Sequence, residues 1–425
     1  MAAAPKVNAA QLDNGCRLVT EVVEGARSAS LGVFAAVGSR HEPASLAGSS
    51  HFLEHLLFKG TDTLDAVTIA ESLDRVGGQS NAYTAREHTC FWVRLLGEDI
   101  SVGLEILGAI VTDPALRDDD IAAERTVIED EILGSHDDPG SVAAERFFEL
   151  VFADHPLGRD PLGTLESVRR IGPDDVRRFF DAHYGPANFV VAAAGDVDHE
   201  MVAAAIAKWP SHDVEQSTAS GAPAATAGVR EVVRTATEQS QVVVGVRIPP
   251  RTDPRRDAFR VYDQLLGGGL SSRLFTSIRE REGLAYQVYS ERAQFSDAGA
   301  MCVAAGTAPE HTDRVLELIA VEVDDLAQGG ATEREVEIAK QALRADALLA
   351  GEDTGHVMSR LGGSVLLDGE VRTTDDIVDA VMAVTHEAVC EVAQLVAASP
   401  RTLVVVGSFG DEAGSGLVLE GTAWR

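Results

Sequence analysis

Hydrophobic positions along the chain follow two rhythms. The apolar run at 28–37 (SASLGVFAAV) predicts a strand buried on both faces, 241–248 predicts a matching buried strand, and 188–195 and 299–306 predict further strands. Residues 79–93 alternate and are rich in Tyr, Thr, Phe and Trp, which predicts a strand or hairpin, and 283–290 predicts another strand. Residues 11–21 read as a hairpin with Asn14-Gly15 as its turn signal. Helical spacing appears at 68–76 (ended by Gly77-Gly78), at 100–113, at 118–133, and after Asp137-Asp138-Pro139 through Phe147-Phe148. A capped helix is expected at 165–171. Helices at 256–266 (ended by Gly267-Gly268-Gly269), 272–282 and 310–328 follow.

The elements after residue 240 repeat the order of the first half. Between the halves, residues 211–228 turn to Ser, Thr, Ala, Gly and Pro, the composition of a linker. At 425 residues the chain exceeds one ordinary core. The expected domains are 1–212, a linker at 213–228, and 229–425. The expected class is α+β: two homologous α/β domains, each a sheet covered by helices. Strand–helix order alone leaves parallel and antiparallel sheets open.

Charge narrows the partners. The chain has 36 basic and 67 acidic residues, a formal net charge of −31. Nucleic acid is excluded as the expected partner, because phosphate contacts need clustered Lys and Arg. An acidic cavity would instead attract basic peptides. No apolar run reaches the length of a membrane span. The first residues have neither a secretory apolar core nor an Arg-rich amphipathic helix, so a soluble, cytoplasmic protein is expected. Cys16, Cys90, Cys302 and Cys390 show no metal or redox spacing and read as free thiols in a reducing compartment.

The candidate chemistry lies at residues 48–61, GSSHFLEHLLFKGT. On a helix, His51 and His55 share a face and Glu54 joins it. Leu53, Leu56 and Leu57 would pack the other side, with Ser49 or Ser50 as cap. Two imidazoles and a carboxylate supply most of a catalytic zinc site, and a third protein ligand is then required. Residues 118–134 offer one. Acidic residues open this predicted helix and Gly134 would stop it. Glu124 and Glu131 lie two turns apart, on one stripe with Val127 and Ile128. Buried carboxylates there need a partner or a metal. The competing reading is a solvated acidic face with Glu129 and Asp130.

His-x-x-Glu-His, followed 76 residues after His55 by Glu131 within Glu124-Arg125-Thr126-Val127-Ile128-Glu129-Asp130-Glu131, resembles the pitrilysin and mitochondrial processing peptidase family of inverzincins. Asp130 stands where the family often has Glu. The resemblance implies largely antiparallel sheets, and a zinc-dependent endopeptidase that cuts extended, unfolded peptides. It implies one zinc per chain on His51, His55 and Glu131. Glu54 would take the proton of the zinc-activated water and pass it to the leaving amine. Both His must be neutral, so activity should fall in acid. Glu124 would orient a ligand or the water. Asn81, Ala82 and Tyr83 resemble an edge strand that pairs with substrate, and Phe58 a pocket aromatic. Arg279 and Tyr286 resemble a pair that reaches the substrate and its developing oxyanion. Members of this length pair into a homodimer around a chamber. No His-x-x-Glu-His follows residue 200, so the second half would be a degenerate copy. The alternative is a non-catalytic scaffold, or a partner subunit of a hetero-oligomeric peptidase.

Overall fold

The computed structural model describes residues 6–215, 221–224 and 227–409. Within the expected linker at 213–228, residues 216–220 and 225–226 lie outside the described residues. The chain forms two compact units. The first comprises Met1–Ile132, Arg159–Ser220 and Leu348–Thr374, and the second Leu133–Gly158, Gly221–Ala347 and Asp375–Arg425. A single cut in the linker therefore does not describe the packing: each half contributes one segment to the other half's unit.

The first unit is built on strands β1 (Lys6–Gln11), β2 (Arg17–Val22), β3 (Ser28–Ala35), β4 (Gln79–Thr84), β5 (Thr89–Leu96) and β6 (Phe189–Gly195), in the order β1-β2-β6-β3-β5-β4. The expected hairpin joins β1 and β2, with Gly15 at φ +88 in its loop. All pairings are antiparallel except β2 with β6, so the sheet is largely antiparallel.

The helices of this half are α1 (Ser49–Leu57), α2 (Ala66–Arg75), α3 (Ile100–Thr112), α4 (Asp118–Asp137), α5 (Pro139–Phe152), α6 (Leu165–Arg170), α7 (Pro173–His183) and α8 (His199–Ile206). Three expectations need correction. First, α4 runs through Gly134 to Asp137, because glycine weakens a helix but stops it only where the chain turns left-handed. Second, α1 is not capped by Ser49 or Ser50: its cap is Gly48, at φ +94. Third, α7 and α8 were not expected, although Pro173 followed by Val176, Phe179 and Phe180 carries a helical start and period.

One face of the sheet packs on Phe52, Leu56, Leu104, Leu107, Ile128 and their neighbours. The other packs on α12 (Thr354–Gly363), whose Val357, Met358 and Leu361 meet Phe34, Val190 and Ala192. Cover on both faces is why β3 and β6 read as continuous apolar runs.

The second unit repeats this plan. Its strands β7 (Arg230–Arg234), β8 (Ser240–Ile248), β9 (Ala285–Gln294), β10 (Gly299–Thr307) and β11 (Arg401–Gly407) take the order β7-β11-β8-β10-β9. Again one pairing, β7 with β11, is parallel. Its helices are α9 (Arg256–Leu266), α10 (Thr312–Asp325), α11 (Glu333–Ala350), α13 (Thr374–Met382) and α14 (His386–Ala398). The helix expected at 272–282 is wound as a wide π turn over Phe275–Arg281. The second face is covered by α5, through Phe147, Val151 and Phe152 against Val243, Val404 and Val406. Among the described residues, no single helix is long and apolar enough to cross a membrane. All four cysteines are free.

Candidate metal centre

Helix α1 buries Phe52, Leu53, Leu56 and Leu57, each no more than 1% exposed, and this turns His51 and His55 to its other side. Helix α4 meets it through the side chains of Glu124 and Glu131. Ile121, Ile128 and Ile132 anchor α4 in the core. Arg125 ties it down further, donating from Nη2 to Ile171 O at 2.6 Å and lying over the Phe52 ring at 5.8 Å. The turn after α1 meets the start of α4 through Ala115 N to Gly60 O at 3.0 Å and Arg117 Nη2 to Thr61 O at 2.5 Å. Backbone and guanidinium bonds thus tie the end of α1 to the start of α4.

Between the two helices, ligand atoms of His51, His55 and Glu131 all lie within 4.8 Å of one another. Glu131 Oε2 is 3.6 Å from His51 Nε2 and 3.5 Å from His55 Nε2. The two rings meet edge to face at 4.7 Å. Burial, and then the neighbouring His55, lower the pKa of His51 to about 4, so it is neutral near pH 7, as a metal ligand must be. Two imidazoles and one carboxylate on rigid helices fit zinc and leave a coordination position open.

The second carboxylate, Glu124, does not join the cluster. Its Oε2 lies 3.1 Å from His55 Nδ1, and its Oε1 pairs with Lys59. A carboxylate there makes Nδ1 the protonated nitrogen, which leaves Nε2 with its lone pair facing Glu131. The stripe expected at Glu124, Val127, Ile128 and Glu131 is split: Glu124 and Ile128 are buried, whereas Val127 and the Glu131 side chain are nearly half exposed. A helix lying over a core buries only a narrow band, and Val127 faces away from it.

Glu54 shares the ligand face and accepts a hydrogen bond from Thr84 Oγ1 at 2.5 Å. Burial raises its pKa, opposed by that hydroxyl and by His55. Thr84 ends β4, which is a terminal strand of its sheet, as expected. Asn81 is exposed and Ala82 half-buried, and the Tyr83 hydroxyl lies 3.2 Å from His88 Nε2. Phe58 packs toward Phe91 at 6.1 Å between ring centres. Arg279 and Tyr286 belong to the second unit, where the guanidinium sits 4.6 Å from the Tyr286 ring and 4.7 Å from the Phe275 ring.

The Ser290–Asp263 hydrogen bond marks a counterpart of this site in the second half, and one sheet register aligns the two. Val33 pairs with Phe91 and Val191, and Val242 likewise pairs with Ala305 and Val405. Glu54 follows Val33 by 21 residues, as Asp263 follows Val242. The same spacing puts Arg260 and Gln264 where His51 and His55 stand. Thr84 pairs with Thr89, beside Ala35; Ser290 pairs with Val303, beside Val244. Ser290 Oγ donates to Asp263 Oδ1 at 2.6 Å, reproducing the Thr84–Glu54 bond. Arg292, 3.4 Å from Asp263 Oδ2, supplies the positive charge there. The copy keeps its carboxylate and hydroxyl but lacks both imidazoles.

A family model described as insulinase (peptidase family M16) matches residues 17–165, and one described as the peptidase M16 inactive domain matches residues 170–343. A Streptomyces coelicolor protein named an uncharacterized zinc protease is 39% identical over 96% of this chain and 90% of its own length. This chain belongs to peptidase family M16. A Mycobacterium leprae protein of the same description is 40% identical to this M16 chain, over 94% of it and 92% of the relative. Among solved structures, a protease from Helicobacter pylori superposes with a TM-score of 0.90 at 23% identity, covering 95% of this chain and all of that one. A Pseudomonas fluorescens peptidase M16 inactive domain gives 0.88 at 19% identity, over 95% and 99% of the two chains. These two likenesses carry the fold: two domains of mixed α and β structure. Within the M16 chain, the half matched by the inactive-domain model is the one whose counterpart site holds Arg260, Gln264 and Asp263.

Sequence reasoning missed Lys59, Thr84 and Arg125 as parts of the site. Lys59 was readable, one helical turn beyond His55 on the ligand face. Thr84 acts across the fold on Glu54, and local spacing carries no sign of it.

Proposed function

We propose that this M16 chain is a zinc-dependent endopeptidase acting on extended, unfolded peptides, with one zinc held by His51, His55 and Glu131. The observation that carries the reading is the convergence of those three donors within 4.8 Å, next to a carboxylate that is not one of them. Zinc, when bound, supplies a Lewis acid for the scissile carbonyl and brings the pKa of a water near neutrality.

The chain's own groups do the rest. Thr84 holds Glu54 Oε2, which leaves Oε1 to accept the proton of the attacking water and return it to the leaving amine. Glu124 and Lys59 keep His55 in one tautomer. The open edge of β4 offers backbone donors and acceptors to an extended peptide at Asn81, Ala82 and Tyr83, with Phe58 contributing to the adjoining pocket. Arg279 and Tyr286 are assigned to the substrate's carbonyl oxygen as donors. A net charge of −31 favours basic peptides. The working form is taken to be a homodimer.

The test is cleavage of an unstructured basic peptide, read by mass spectrometry. Cleavage should stop on chelation and return with one equivalent of zinc. Zinc-loaded protein that cuts nothing would favour a scaffold or partner-subunit role. Thr84→Val should retain zinc but lose about ten- to hundredfold in kcat, because a hydrogen bond to a charged group is worth about 1.5–3 kcal/mol. Steady-state kinetics alongside zinc analysis checks this. A kcat equal to wild type would remove Thr84 from the mechanism.

A further inference from the structure

We propose that Glu42 is a positioning residue for the metal centre, holding the first turn of α1 in the one placement that presents His51. The inference rests on reading His51, His55 and Glu131 as the zinc ligands. Helix α1 has an unusual start. Its cap, Gly48, has no side chain and sits at φ +94, a conformation that favours glycine. The first NH groups of a helix have no partner within it. Two here are met from outside: Gly48 N donates to Glu42 Oε2 and Ser50 N to Glu42 Oε1, each at 2.7 Å. Both oxygens of one carboxylate, 4% exposed, are therefore committed to the positive end of this helix.

Glu42 is itself anchored, since its carbonyl oxygen accepts from Arg159 Nη1 at 2.7 Å. The segment after Arg159 presses backbone to backbone on the helix start. A Cβ on Gly48 would lie 2.7 Å from Leu162 O, and one on Gly163 would lie 2.4 Å from Ala47 O. His51 follows Ser50 directly, so any relaxation of this turn displaces its Nε2. Metal–ligand bonds tolerate little such displacement, and loss of a group that orients a ligand costs roughly 10–100-fold in metal affinity.

The experiment compares full-length wild type with Glu42→Gln and Glu42→Asp. The readouts are zinc affinity by chelator competition, the ligand-field spectrum of the cobalt(II)-loaded protein, and amide exchange over 48–56. Glu42→Gln sets an NH₂ against an NH donor. It should weaken zinc at least tenfold, shift the cobalt bands and speed exchange in the first turn. Glu42→Asp, able to reach only one NH, should fall between. Wild-type zinc affinity and an unchanged cobalt spectrum in Glu42→Gln, even with a lower melting temperature, would reduce Glu42 to a support of the fold. If Glu42→Gln does not fold, Arg159→Ala gives the answer: it leaves the carboxylate in place but frees its anchor, so zinc should weaken several-fold, and unchanged affinity overturns the proposal. None of these readouts uses turnover. A wild type that binds zinc but cuts no peptide would refute the proposed function alone.

Discussion

Glu54→Gln is expected to abolish peptide cleavage while leaving zinc in place. General-base catalysis contributes on the order of 10²–10⁴ in rate, so kcat should fall by that range. The substitution is close to isosteric. The Gln carbonyl oxygen can still accept from Thr84, as Glu54 Oε2 does at 2.5 Å, so the side chain stays placed. What disappears is the ability to take up a proton. Glu54 belongs to none of the three-donor contacts, so zinc content should match wild type. Cleavage of a basic peptide by both zinc-loaded proteins, followed by mass spectrometry, separates the outcomes. Equal cleavage would mean that the base is another group or that the activity is a contaminant.

The second large effect separates the two carboxylates of α4. Burial alone would favour Glu124 as the ligand, since its side chain is 8% exposed against 45% for Glu131. Geometry reverses that choice. Glu131 Oε2 stands within 3.6 Å of both imidazole Nε2 atoms, whereas Glu124 faces the far nitrogen of His55 and Lys59. Glu131→Gln replaces an anionic donor with a neutral amide and should leave the purified protein without bound zinc. Glu124→Gln should keep zinc but bind it roughly 10–100-fold more weakly, because a His-orienting partner is weakened rather than a ligand lost. Chelator competition on both variants gives the comparison. Zinc retained at full strength by Glu131→Gln and lost by Glu124→Gln would exchange the two roles.

Much of this site was readable along the chain because its parts are local. His51, Glu54 and His55 occupy one turn, and a helical period puts them on one face. The strands at Ser28–Ala35 and Phe189–Gly195 announced themselves as apolar runs because both faces are covered. The errors arose where local rules compete with packing. Gly134 looked like a stop, yet α4 continues past it; Ser49 and Ser50 looked like caps, yet the Glu42 carboxylate, in the loop before the helix, meets the NH groups of Gly48 and Ser50. The exchange of α5 and α12 between the two units was invisible, since an amphipathic helix does not state which sheet it will cover.

The sequence by itself determined the helix that carries the two imidazoles, the carboxylate two turns from Glu124, and a second half without the His pair. Periodicity and spacing are enough for these, because each depends on residues close along the chain. Only the tertiary structure decided that Glu131 meets both imidazoles, that Glu124 faces His55 and Lys59, and that Thr84 meets the Glu54 carboxylate and Glu42 the helix start. The Glu131, Glu124 and Thr84 contacts join segments tens of residues apart, and the Glu42 contact closes a loop whose conformation local spacing does not specify. They follow from how helices, strand and loop pack together, which sequence spacing does not encode.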